Sequence, residues 1–184
     1  MTVTIETPRL KLRQPEMGDW EAFAAFLGSD RAQFIGGPYA RRDAWRAFAH
    51  MVGHWTLRGF GIFVGIEKAS GKPFCSAGPW FPKGWPEHEI SWSVWTADAE
   101  GKGFAYEAAL ATRDWAYTQL GWPTAVSYVD TDNMRSAALA ERMGCVIDPN
   151  AARFADDKTV DYDRPYHVWR HPAPDSDGSP EAYA

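Results

Sequence analysis

Cysteine is scarce: Cys75 and Cys145 lie seventy positions apart, with no CxxC pair in 184 residues. Such lone cysteines read as buried or free thiols in a reducing cytoplasm. Long apolar runs are missing too, and nothing approaches the eighteen residues that a membrane-spanning helix requires. The opening Met-Thr-Val-Thr-Ile-Glu-Thr-Pro-Arg lacks the apolar core of an export signal, so the expected location is cytoplasmic. Basic charge is in deficit, with 19 Lys and Arg against 24 Asp and Glu and a net charge of −5. Asp175, Asp177 and Glu181 fall in the last fourteen residues, and the rest of the chain is close to neutral. Duplex DNA and anionic lipid both need a basic footprint, so neither nucleic acid nor membrane is expected as a partner.

What remains is an ordinary globular composition, 45% hydrophobic and 23% charged, in a length that suits one domain. Tryptophan is in excess, at ten residues. Trp20, Trp45, Trp55 and Trp115 fall on helical patterns and are expected in the core. Trp80, Trp85, Trp92 and Trp95 crowd into sixteen residues, where they serve either as packing or as the wall of an acceptor pocket.

Arg9 to Arg13 alternates like a half-buried strand. Asp19 is placed to cap a helix that buries Trp20, Phe23, Ala24 and Leu27. A second helix carries Trp45, Phe48, Ala49, Val52 and Trp55 at three- and four-residue spacing. Strands are expected over Phe60 to Glu67, Pro73 to Phe81 and His88 to Thr96, the first two joined by the turn Ala69-Ser-Gly-Lys72. A third helix opens after Gly103, with Ala105, Ala108, Ala109, Thr112, Trp115 and Ala116 on one face. Ala125 to Val129 is a strand, and Asn133 to Met143 is a helix with Ala140 and Met143 inward and Gly144 as its C-cap. Cys145 to Ile147 and Tyr166 to Arg170 complete the strands. Residues 1–170 thus read as one α/β domain, a mixed and mostly antiparallel sheet flanked by helices. Residues 171–184, rich in Pro, Ser, Asp and Ala, read as a disordered acidic tail.

The most informative stretch is Thr96-Ala-Asp-Ala-Glu-Gly-Lys-Gly103, between a strand and a helix N-terminus. Glycine there admits a bent backbone and a close ligand, and the free N–H groups of a first helical turn form a ready phosphate site. Lys102 adds charge at the same place. A tight turn that merely needs two glycines is the competing reading. The P-loop spacing and its Gly-Lys-Ser/Thr ending are absent, and Tyr106 stands where a Rossmann turn has Gly or Ala.

Glu100-Gly-Lys-Gly-Phe-Ala-Tyr-Glu-Ala108 resembles the Gly-Lys-Gly-Tyr-Ala-Thr-Glu-Ala signature of the GNAT acetyltransferase superfamily. Thr7-Pro-Arg-Leu-Lys-Leu-Arg13, Ser91-Trp-Ser-Val94, Asn133-Met-Arg-Ser136 and Glu141-Arg-Met-Gly144 follow in the order of its RimJ/RimL-type branch, named for enzymes that acetylate ribosomal-protein N-termini. The resemblance covers roughly residues 4 to 170 and implies the GNAT fold, whose sheet splays at its centre to admit acetyl-CoA. It implies that the amides of Gly101, Lys102, Gly103, Phe104 and Ala105 cradle the pyrophosphate. It further implies that the edge of Val94, Trp95 and Thr96 pairs with pantetheine, that Asn133 bonds pantetheine, and that Ser136 sits near the sulfur. The chain departs from the family at Asp98, where Arg or Gln is usual, at Ala140, where many members carry a Tyr acid, and at Cys145, where Phe is usual.

Acetyl transfer to an amine requires a neutral nucleophile, hence a base. Glu89 is the leading candidate, on the strand that leads to the glycine turn and beside aromatics that would raise its pKa. Glu87 and His88 are its rivals. His50 and His54 stand at i, i+4 without a third ligand, so no metal is expected. The chain thus reads as an acetyl-CoA-dependent N-acetyltransferase using direct attack in a ternary complex, with a small-molecule amine or a protein N-terminus as acceptor. A non-catalytic acyl-CoA-binding or sensing module is the alternative. Exposed tryptophan would make a homodimer unsurprising.

Overall fold

The computed structural model describes residues 3–154 and 164–174. Its strands are β1 (Thr4–Glu6), β2 (Leu10–Arg13), β3 (Phe63–Glu67), β4 (Pro73–Trp80), β5 (Glu89–Val94), β6 (Val126–Asp130), β7 (Val146–Ile147) and β8 (Tyr166–Arg170). Its helices are α1 (Trp20–Leu27), α2 (Arg41–Arg58), α3 (Phe104–Leu120) and α4 (Met134–Arg142). The strands form one eight-stranded sheet in the order β1-β2-β3-β4-β5-β6-β8-β7. Every neighbouring pair is antiparallel except β5 with β6, which are joined across α3. This is the single α/β domain with a mixed, mostly antiparallel sheet that the sequence led us to expect.

Alternation along the strands sorts the core into two layers. Val64 and Trp95 meet Phe23, Phe26, Leu27, Phe48 and Met51 of α1 and α2 on one face. Leu10, Leu12, Cys75 and Ala77 meet α3 on the other, through Ala108, Ala109 and Leu110. Small side chains on α3 let that helix lie close, and Ala108, Ala109 and Ala116 are wholly buried. Ala140 of α4 and Met143, which follows that helix, join this second layer. Gly144 ends α4 with φ +77°, as its glycine suggested.

Three local expectations shift. β1 carries no signal of its own in the sequence, because its three residues, which among the described residues pair only with β2, are too short a pattern. The inward row of α2 is Ala44, Phe48, Met51 and Trp55, while Trp45 and Val52 are 44% and 37% exposed. Both rows are apolar at helical spacing, so periodicity alone could not choose between them; Trp45 instead lies edge-on to Trp20, 5.0 Å between ring centres. Asp19 precedes α1 but makes no capping bond there. Its buried carboxylate takes two bonds from Arg13, at 2.7 and 2.8 Å.

His171, assigned from sequence to the acidic tail, is buried and its N–H donates to Ala125 at 3.0 Å, directly after β8. Residues 175–184 of that tail lie outside the described residues. Among the described residues no helix is long and apolar enough to cross a membrane.

Candidate active site

β5 and β6 touch at one register pair, Glu89 with Val126, and then part. On its other side β5 stays paired with β4 throughout. Trp95 N–H donates to Phe74 C=O at 2.9 Å, which makes Trp95 a hydrogen-bonded position on the β4 side. Alternation in an antiparallel ladder then turns the N–H and C=O of Ile90, Trp92 and Val94 towards β6. Ser127 Oγ donates to the Ile90 carbonyl at 2.6 Å, and its hydroxyl takes the place of a backbone rung where the strands separate. The backbone groups of Trp92 and Val94 therefore face the gap. This corrects one sequence expectation: Trp95 spends its amide on Phe74, and its ring packs against Phe23 at 5.3 Å on the α1 side. Trp92, which the sequence reading did not assign to this edge, takes its place.

The glycine turn follows at the open end of this gap. Gly101 and Gly103 have φ of +68° and +78°, a region that L side chains adopt only with strain. Gly103 is the N-cap of α3, and the first intrahelical bond runs from Glu107 N–H to Gly103 C=O at 3.0 Å. The N–H groups of Phe104 and Ala105 thus have no intrahelical acceptor. Thr96 starts a 3-10 turn over Ala97–Ala99, and Asp98 within it is exposed. Cations surround the turn. Lys102 is exposed on it, and Glu100 Oε1 accepts from Arg31 at 2.6 Å and from Arg135 at 2.5 Å. Glu100 thereby ties the turn to the first residues of α4.

Asn133 and Ser136 are brought together at the start of α4, across the gap from β5. Asn133 Oδ1 accepts from Ser136 N–H at 3.2 Å and caps the helix. Trp92 Nε1 donates to Ser136 Oγ at 3.3 Å. An indole can only donate, so the serine hydroxyl keeps its own proton free to give away.

Glu89 lies on the opposite face of β5 from Trp92. Its side chain is buried, and burial pushes its pKa up to about 7, against the bond donated by Trp85 Nε1 at 2.5 Å. A carboxyl with that pKa can take a proton near neutrality. The two rivals lie in different surroundings. Glu87 is held below the usual carboxylate range by its bonds from Arg170, at 2.5 and 3.0 Å. His88 stacks on Trp122 at 4.2 Å, away from Glu89, and burial lowers its pKa. Trp85, expected from the sequence as packing or as pocket wall, is the partner of Glu89, and only the turn between β4 and β5 reveals it.

His54 is buried between Phe60 C=O and Phe81 N–H, and burial lowers its pKa. His50 packs edge-on to Trp80 at 4.9 Å. Among the described residues no group of three or more His, Cys, Asp or Glu could hold a metal ion. Burial pushes both cysteine thiols up to about 12. Two surface hollows lie elsewhere, one lined by Gln14, Val52 and Trp55 and one by Ile5, Thr7, Asp114 and Trp115. Neither touches the β5–β6 gap.

Residues 9–146 match the family described as Acetyltransferase (GNAT) domain. An acetyltransferase from Agrobacterium tumefaciens str. C58 is 36% identical, with a TM-score of 0.82 over 92% of this chain and 94% of that one. Ribosomal-protein-S5-alanine acetyltransferase from Vibrio fischeri is 15% identical, with a TM-score of 0.67 over 96% and 100% of the two chains. Spermidine N-acetyltransferase from Vibrio cholerae, solved with CoA and spermine, is 19% identical, with a TM-score of 0.66 over 88% and 93%. At these identities the last two share the fold.

Proposed function

The chain belongs to the GNAT acetyltransferase family, and from that premise we propose that it moves an acetyl group from acetyl-CoA to a primary amine by direct attack in a ternary complex. The observation that carries this reading is the unpaired edge of Trp92 and Val94 running into an amide-lined, cation-flanked glycine turn. An extended amide chain can add to such an edge as a strand does, and a diphosphate suits the helix N-terminus beside it. Acetyl-CoA supplies the activated acyl group as a thioester. Gly101, Lys102, Gly103, Phe104 and Ala105 hold the diphosphate. Trp92 and Val94 align pantetheine, and Asn133 adds a side-chain contact to it.

Glu89 takes the proton that the ammonium acceptor must lose before its lone pair is available. The thiolate leaves towards Ser136, whose hydroxyl is held by Trp92 and has a proton to donate. A backbone N–H of the open edge serves the developing oxyanion. A covalent acyl-cysteine route has no support, since thiols with a pKa of about 12 carry almost no thiolate near neutrality. Wholly buried Ala140 offers no acid, which gives Ser136 that role by default.

The motif order supports placing the chain near the RimJ/RimL-type branch, with a protein N-terminus or a small-molecule amine as acceptor. Its domain spans residues 1–170 with His171 packed onto it, acting in the cytoplasm. The test is a thermal melt of the full chain with acetyl-CoA against a ligand-free control. At a hundred times Kd, binding adds about 2.7 kcal/mol, or roughly 5–11 °C at this size. A shift of that order followed by turnover of an amine supports the enzyme. A shift without turnover of any amine points to a non-catalytic acyl-CoA-binding module, and no shift at millimolar acetyl-CoA removes both readings.

A further inference from the structure

Behind the glycine turn lies a cluster that takes no part in the chemistry above. Glu107, in the first turn of α3, is buried, yet its carboxylate is fully engaged. Oε1 accepts from Thr7 Oγ1 at 2.6 Å and from Arg9 N–H at 2.8 Å, and Oε2 accepts from Arg9 Nε at 2.6 Å. Burial alone would raise its pKa, but the bonds from Thr7 and Arg9 hold it below the usual carboxylate range. So anchored, the Arg9 guanidinium reaches over three consecutive residues of the turn. Nη1 donates to Lys102 C=O at 2.6 Å, Nη2 lies 3.4 Å from where a Cβ on Gly103 would stand, and the guanidinium carbon sits 4.6 Å from the centre of the Phe104 ring.

The bond to Lys102 has a consequence fixed by covalent geometry. Lys102 C=O and Gly103 N–H belong to one trans peptide plane and point in opposite directions. That plane is next to Gly103, for which either sign of φ is accessible, so its rotation is sterically cheap. A donor that holds the carbonyl on the inner side leaves the Gly103 N–H on the outer side, in the row offered to the diphosphate. We propose that Arg9, itself fixed by Glu107 and Thr7, is a positioning residue that locks the Lys102–Gly103 peptide in the orientation needed for diphosphate binding. The inference rests on the acetyl-CoA reading above. It assigns a binding role to a residue of the β1–β2 turn that need not touch the ligand.

The test compares wild type, Arg9→Ala and Arg9→Lys by calorimetric titration with acetyl-CoA, by steady-state kinetics and by ligand-free melting. Lysine keeps the positive charge but has one ammonium, which cannot serve Glu107 and the Lys102 carbonyl in the forked geometry of a guanidinium. Both variants are expected to bind acetyl-CoA about tenfold or more weakly, the scale of one lost charge-assisted hydrogen bond. Their kcat at saturating acetyl-CoA should stay within about twofold of wild type, because the defect lies in binding alone. Arg9→Lys with wild-type affinity would mean that charge suffices, and would overturn the positioning role. Lowered melting with unchanged affinity would overturn it as well, leaving a structural contact. Failure of the wild type itself to bind acetyl-CoA would fault the functional reading from which the inference starts. Arg9→Lys preserves the charge beside Glu107 and keeps the test available if Arg9→Ala does not fold.

Discussion

Glu89 shows how much of a side chain's chemistry comes from its surroundings. Strand position made it a candidate from sequence, and the aromatic density around residues 80–95 gave the reason to expect a raised pKa. The identity of its partner, Trp85, depends on how the β4–β5 turn folds back. Glu89→Gln is expected to lower kcat by about 10²–10⁴-fold while leaving acetyl-CoA affinity unchanged, measured by steady-state turnover and calorimetry. On the proposed role the ionised form is the base, so kcat/KM of the wild type should rise with pH through about 7 and then level off. Arg9 is the contrary case. It lies 98 positions from Glu107, and no local pattern in Thr7-Pro-Arg9 announces a contact with the glycine turn. Its role is written only in tertiary structure.

At the scale of elements, the glycine turn and the edge of β5 act together. Gly103→Val puts a β-branched side chain at φ +78° and a Cβ 3.4 Å from Arg9 Nη2. The backbone strain alone is about 1–2 kcal/mol. The melting temperature should fall by roughly 2–8 °C and the ligand-induced shift should vanish. Gly101→Ala meets nothing within 4 Å, so it should cost only the strain of its φ of +68° and keep a measurable ligand shift in the same assay. Asn133→Ala removes the α4 cap and is expected to cost about 1 kcal/mol in a urea titration. The glycine turn and the Gly144 C-cap were legible because each needs a particular residue type at a particular place. The phase of α2 was not, since Trp45 and Val52 mimic a core row as well as Ala44, Phe48 and Met51 do. Nor was the handover from Trp95 to Trp92. Which residues of a strand face a gap depends on register, and register is a property of two strands.

Across the whole molecule, two buried groups pull stability in opposite directions with pH. The folded pKa of Glu89, about 7, exceeds its ordinary 4.5, so the native state holds the extra proton between them. Stability from this group is lost as pH rises through that window. Burial pushes the pKa of His171 down to about 3 from 6.5, so there the unfolded chain holds the extra proton. Its contribution is complete above 6.5 and is lost as pH falls towards 3. Each proton is worth about 1.4 kcal/mol per pH unit, and between 4.5 and 6.5 the two slopes should nearly cancel. Between these values urea midpoints should rise with pH more steeply in Glu89→Gln than in the wild type, and less steeply in His171→Asn. Hydrophobic periodicity and turn residues made the fold class legible. The burial of His171 was not, because residues 171–184 read as tail by composition, which gives no sign that His171 Nε2 meets Ser127 Oγ at 2.9 Å.

The placing of β8 between β6 and β7 bears on the timing of folding. β6 pairs with β8 along all five of its residues, from Val126 with Arg170 to Asp130 with Tyr166, but meets β5 at one position. Among the described residues β7 pairs with β8 alone. β8 comes after every strand it joins, so during synthesis from the N-terminus β6 waits unpaired on that side until residues 166–170 emerge. A nascent chain stalled before Tyr166 can assemble β1 to β5 against α1, α2 and α3, yet cannot close its sheet. Asn133 and Ser136, which lie between β6 and β8 along the chain, then stand beside a sheet that still lacks β8.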